Sequence, residues 1–155
     1  MKMKKLLYIS ALVFCSNTYA ECQIMTSSDT ELTQAIRLNK GLDLKYYSEL
    51  CAKLKTANAS IAINQETLMT EKQLTVSTGL RLYPIEYEQK YKYQFLTRHV
   101  YNLISSNYER TSKSEIALKY ASANTALDNL VEDKHSLDLL LDDLAILRNR
   151  LQPIN

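Results

Sequence analysis

Along the middle of the chain, Leu74, Val76, Leu80 and Leu82 alternate with Gln73, Thr75, Ser77 and Arg81. A period of two predicts a half-buried strand. Beyond Pro84 the alternation resumes, with Tyr91, Tyr93, Phe95, His99, Tyr101 and Leu103 on odd positions and Lys92, Gln94, Arg98 and Asn102 between them. This predicts a returning antiparallel strand over about 90–104, with residues 84–89 as the hairpin loop. The same segment also carries Tyr93, Leu96, Val100, Leu103 and Ile104 at helical spacing, so an all-α bundle is the alternative. The aromatic and β-branched content favours the strand. Ile61 and Ile63 supply a third, edge strand. Strands this few need a helix packed against them.

Flanking segments follow the helical period. Ser28, Asp29, Thr30 and Glu31 read as a capping box opening a helix that runs to about Lys40, with Leu32, Ala35 and Ile36 on one face and Gly41 as its stop. Asp43 is placed to cap a second helix, where Tyr47, Leu50, Cys51, Leu54 and Ala57 form a buried stripe. A second capping box, Ser112 to Glu115, precedes a repeat of seven: Ile116, Ala123, Leu130, Leu137, Leu144 and Leu151. Tyr120, Leu127 and Leu141 hold the companion positions, which Lys134 and Arg148 interrupt. One helix over 113–151, or two broken between Asp133 and Ser136, satisfies the pattern. A strict heptad favours helix–helix packing, as an internal seam or as the seam of a homodimer. The fold class is therefore α+β: an N-terminal helical hairpin, a central antiparallel β-hairpin of two or three strands, and a long C-terminal helix or helix pair.

The first twenty residues stand apart. Lys2, Lys4 and Lys5 precede an uncharged apolar run, and Thr18, Tyr19 and Ala20 give small side chains around a cut. Basic, apolar, small is the layout of a secretory signal peptide, so residues 1–20 are expected to be removed and 21–155 to form one domain. Lipidation is disfavoured, because Glu21 precedes Cys22 and Phe14 precedes Cys15. Removing three of the 19 basic residues and none of the 17 acidic ones leaves 16 against 17, a net charge of −1. Such a surface exerts no general pull on nucleic acid. Cys22 and Cys51 remain after cleavage, and an oxidising compartment favours a bridge between them, stabilising by roughly 3–4 kcal/mol in the chain-entropy picture.

Catalytic signatures are sparse. With Gly41 and Gly79 as the only glycines, phosphate loops and nucleophile elbows are excluded. His99 has no acidic residue within three positions. His135 has Glu132 and Asp138 at three residues either side, a weak metal pattern that we read as a solvated face. No cofactor and no metal is expected. The tyrosines are more informative: Tyr83, Tyr87, Tyr91 and Tyr93, with Lys90 and Lys92, cluster around the expected hairpin tip. Tyrosine suits interfaces because it offers area and a hydroxyl at low entropic cost. The sequence thus leads us to expect an exported, non-enzymatic protein-binding module of the bacterial envelope, an inhibitor, immunity-type or assembly factor. Its location is expected to be periplasmic, with secretion as the alternative, and its partner another envelope or secreted protein. A periplasmic carrier of a small apolar ligand is the rival reading.

Overall fold

The computed structural model describes residue 24 and residues 26–151. The expected signal peptide and Cys22 lie outside the described residues. The elements are β1 (Thr26–Ser27), α1 (Thr30–Leu38), α2 (Tyr47–Thr56), β2 (Ala59–Met69), β3 (Leu74–Pro84), α3 (Ile85–Tyr91), β4 (Tyr101–Asn107), α4 (Ser112–Glu132) and α5 (Lys134–Leu151). The α+β class is therefore observed. Four strands form one sheet in the order β1-β2-β3-β4, with β1 parallel to β2 and the other pairs antiparallel.

The alternation of β3 is realised as read: Leu74, Val76, Leu80 and Leu82 are all buried. Register places Ile61 opposite Leu82 and Ile63 opposite Leu80, so the apolar residues of both strands share one face. The segment expected as an edge strand is in fact internal, because β1 pairs with it at Thr26↔Ile61 and Ser27↔Ala62. Burying each such aliphatic side chain contributes about 1.5–3 kcal/mol. Helices α4 and α5 supply most of the cover, through Ala123, Ala126, Leu127, Leu130, Leu137, Leu140 and Leu144. The alanines and Ser122 let α4 lie close against the sheet.

Thr78 is a polar exception on that face, and it is fully satisfied. Its hydroxyl accepts from Gln65 Nε2 at 2.9 Å and lies 2.7 Å from the Ser122 hydroxyl, to which Ser105 also donates at 3.1 Å. These bonds tie β2, β3 and β4 to α4 through the core.

The heptad resolves into two helices, broken at Asp133, whose backbone leaves the helical region at ψ 80°. The leucine seam is consumed within the chain: Ala123, Leu130, Leu137 and Leu144 are buried, and only Ile116 is exposed. This removes the seam as a dimer surface.

The helix starts also shift. Asp29, rather than Ser28, caps α1 by accepting from Leu32 N at 2.7 Å, while Glu31 is drawn to Lys119. Thr111 caps α4. Asp43 does not cap α2; Asp128 of α4 reaches across to accept from the amides of Lys45 and Tyr46, each at 3.2 Å. Asn124 accepts from Asp43 N at 3.1 Å, so α4 holds the whole α1–α2 connection. Helix α1 ends earlier than read, at Leu38 with Asn39 as its cap; Lys40 takes the left-handed conformation at φ +61° and Gly41 follows at φ +130°, its amide donating to Ile36 O at 2.8 Å.

Lys119 fastens α1 to α4. Its amine is nearly buried, bonded to Glu31 and 3.7 and 3.8 Å from Asp29 and Glu115. Burial works to lower its pKa, and the three carboxylates outweigh that and hold it above the usual lysine value.

If the heptad is an internal seam, its members should differ sharply in cost. Leu127→Ala is expected to lose about 2–5 kcal/mol in urea unfolding, and Ile116→Ala no more than about 0.5 kcal/mol.

Candidate functional site

Between β3 and β4 the chain makes an excursion over residues 85–100, where the sequence pattern predicts a hairpin loop and the first half of a strand. The structure corrects both. Pro84 precedes α3, with φ −77° and ψ 126°, and Lys92 ends it in the left-handed region at φ +56°. Only Tyr101 and Leu103 of the expected inward face belong to a strand. The aromatic alternation from Tyr91 to Phe95 serves a different purpose: the rings pack on one another rather than on the sheet. Tyr87 stacks on Tyr91 with centroids 6.0 Å apart. Phe95 meets Tyr87, Tyr91 and Tyr93 edge-on at 6.3, 6.2 and 5.0 Å.

Both ends of this excursion are pinned. At its start, Arg148 of α5 donates to Glu86 Oε1 at 2.6 Å, to Ala57 O at 2.7 Å and to Asn58 O at 2.9 Å. Asn58 Nδ2 donates to Glu86 Oε2 at 2.9 Å, and Ile85 N donates to Asn58 O at 3.2 Å. Burial pushes the Glu86 carboxyl upward, but these hydrogen bonds prevail and hold its pKa below the ordinary glutamate value. Arg148, an interruption in the heptad, is thus the residue that fixes α3 to the α2–β2 turn.

At the far end, the fully buried Thr97 accepts from Leu82 N at 3.0 Å, and its own amide donates to Leu82 O at 2.9 Å. Asp143 Oδ2 accepts from Arg98 N and, at 2.8 Å, from His99 N. Asp143 is buried on α5, so the core itself holds this end.

The six residues singled out from sequence separate into two groups. Tyr83 is 2% exposed, and burial raises its pKa. It belongs to the sheet and leaves the candidate surface. Tyr87, Lys90, Tyr91, Lys92 and Tyr93 stay together on the excursion. Tyr91 and Tyr93 are 50% and 64% exposed, and the Lys90 amine sits 5.0 Å from the centre of the Tyr91 ring. Phe95 joins them as the pivot of the cluster, a role that only the ring geometry discloses. Beside the rings lies an open hollow of about 670 Å³ lined by Glu88, Gln89, Lys92, Tyr93, Gln94 and Leu96.

The histidines behave differently from their sequence surroundings. His99 Nδ1 lies 3.6 Å from Asp143 Oδ2, a neighbour 44 positions away. That oxygen is already engaged by two backbone amides, so the pair serves loop anchorage. The break at Asp133 places Glu132 on α4 and His135 on α5, and their assumed common face does not exist. Glu132 instead accepts from the Tyr46 hydroxyl at 2.6 Å and from Lys45 at 3.2 Å; the Tyr46 bond and then Lys45 lower its pKa. Among the described residues, no group of three or more metal-ligating side chains converges, and no helix is long and apolar enough to cross a membrane.

No protein-family model, curated protein or solved structure matches the chain.

The Asp143 anchor has a measurable consequence. Asp143→Ala strands two amides and is expected to cost about 1–3 kcal/mol. Asp143→Asn keeps an acceptor oxygen and should lose less than half as much, as read by urea unfolding.

Proposed function

We propose that the chain is an exported, non-enzymatic protein-binding module of the bacterial envelope, and that the tyrosine-bearing face of residues 87–93 is its contact surface. The observation that carries this reading is the pairing of exposure with ring-to-ring packing. Tyr91 and Tyr93 are open to solvent, yet their rings are held by Phe95 and Tyr87 on a segment anchored to α5 at both ends. Aromatic anchors already fixed before docking lose little entropy on binding, and such residues dominate the energetics of interfaces. Lys90 and Lys92 add a local positive character that favours an acidic rim on the partner.

The carrier reading would call for an apolar chamber between sheet and helices. The hollow beside the rings is instead open and partly charged, and a second one, of about 530 Å³, lies over the sheet surface near Asp29, Asn64, Arg81 and Asn102. Neither hollow is an enclosed apolar chamber of the kind that reading calls for.

The test is capture from an envelope extract with the oxidised chain as bait, compared with the Tyr91→Ala, Tyr93→Ala double variant. One partner retained by the parent and weakened at least about tenfold by the variant supports the reading. A partner held equally by both proteins removes the tyrosines from the interface.

Cleavage after Ala20 and a Cys22–Cys51 bridge belong to the same proposal. Cys51 is buried in α2, the placement a structural bridge requires. Peptide mapping of protein recovered from an exporting host should begin at Glu21 and yield a Cys22–Cys51 linked pair only before reduction; an intact leader would contradict export.

A further inference from the structure

We propose that β4 is the seam of a two-fold homodimer, in which the β4 strands of two copies pair antiparallel about Ile104 and join their sheets into one. Among the described residues, β4 pairs with β3 alone, and its other edge presents unpaired backbone groups. Proteins normally protect such an edge with charges, proline or a bulge. The sequence of β4, YNLISSN, contains no charge and no proline. Its register with β3 runs unbroken from Leu74↔Asn107 to Leu80↔Tyr101. The edge is therefore built to pair.

The pattern of exposure identifies a second copy as the occupant. Ile104 is 71% exposed at the middle of β4, and Val100 and Tyr108, 37% and 85% exposed, flank the strand four residues to either side. An antiparallel two-fold through Ile104 sets Ile104 against its own copy and Val100 against the partner's Tyr108. It also sets Asn102 against Ser106, a hydrogen-bonding pair, on the face turned away from the helices. Leu103 opposes Ser105, and Tyr101 opposes Asn107. Every opposed pair from 100 to 108 is uncharged. Sliding the strands by two residues in either direction leaves Ile104 facing Asn102 or Ser106. A slide of four pairs two of the three apolar positions and strands the third. Apolar cross-strand pairs each stabilise by tenths of a kcal/mol to about 1 kcal/mol, so the symmetric register is preferred. Such an isologous contact closes on itself and leaves neither β4 edge free to template further growth. The tyrosine surface is on a separate segment, so the dimer would present two copies of it.

The test uses the chain processed by an exporting host, in sedimentation velocity over a range of concentrations. A reversible monomer–dimer equilibrium is expected, with no larger species. Ile104→Lys places like charges face to face across the axis and should weaken the dimer at least about tenfold; at so exposed a position the fold survives. Single cysteines then read the register under mild oxidation, with the parent chain as the background. Ile104→Cys should cross-link to its own copy, because directly opposed Cβ atoms lie about 4.5–5.5 Å apart. Asn102→Cys and Ser106→Cys should each fail alone, being offset from themselves by roughly 13 Å, and should cross-link when mixed. A strictly monomeric chain, an association indifferent to Ile104→Lys, open-ended growth, or self-linkage at 102 or 106 would each overturn the proposal.

Discussion

Strand β3 cannot exist with its even-numbered face in water. It is paired over its whole length with β2 and over most of it with β4, so Leu74, Val76, Leu80 and Leu82 are fixed side by side with Ile61 and Ile63 as one apolar surface. Covering that surface is the constraint that the rest of the structure answers. Helix α4 approaches closely because its inward positions include Ser122, Ala123 and Ala126, and α5 returns over the same face with Leu137, Leu140 and Leu144. The break at Asp133 is what allows one heptad pattern to cover one sheet twice instead of extending beyond it.

Hydrophobic cover orients the helices but does not by itself fix the connections between them. Charged and polar side chains on α4 and α5 do that. Asn124 and Asp128 hold the α1–α2 connection by its backbone amides, Lys119 gathers the carboxylates at the start of α1, and Arg148 and Asp143 pin the two ends of the β3–β4 excursion. Each of these groups sits at the margin of the core, where a hydrogen bond to a charged partner is worth more than in open water and its loss leaves a polar group stranded. The two C-terminal helices are thus both the lid of the sheet and the frame on which its loops are hung.

That arrangement sorts the surface. Beneath α4 and α5, the apolar side chains that face the sheet are buried. Two groups of exposed apolar side chains lie away from these helices: the rings of Tyr91 and Tyr93, and Val100, Ile104 and Tyr108 in and beside β4. The first is a patch of mutually packed rings on a segment anchored at both ends, and the second is a sheet edge without protective charge. They differ in kind.

Elements whose reason is local were legible in the sequence. The alternation in β3, the buried stripe of Leu50, Cys51 and Leu54, the turn at Gly41 and the heptad of the C-terminal third all reflect one side chain's relation to its own backbone period. The tyrosine group was legible as a composition, and all but Tyr83 remained together on the surface. What only the tertiary structure decided were matters of distant pairing. The Tyr91 to Phe95 alternation imitates a strand because rings in contact with each other can also fall on every second residue, and period alone does not say what a ring packs against. β2 became internal because residues 26 and 27 pair with it, and two residues carry no readable period. Asp143 found His99, and Arg148 found Glu86, across more than forty positions; a heptad interruption looks the same whether it faces solvent or holds a loop. Local periodicity encodes which face of an element is apolar, while the choice of partner for each charge is made only when the elements meet.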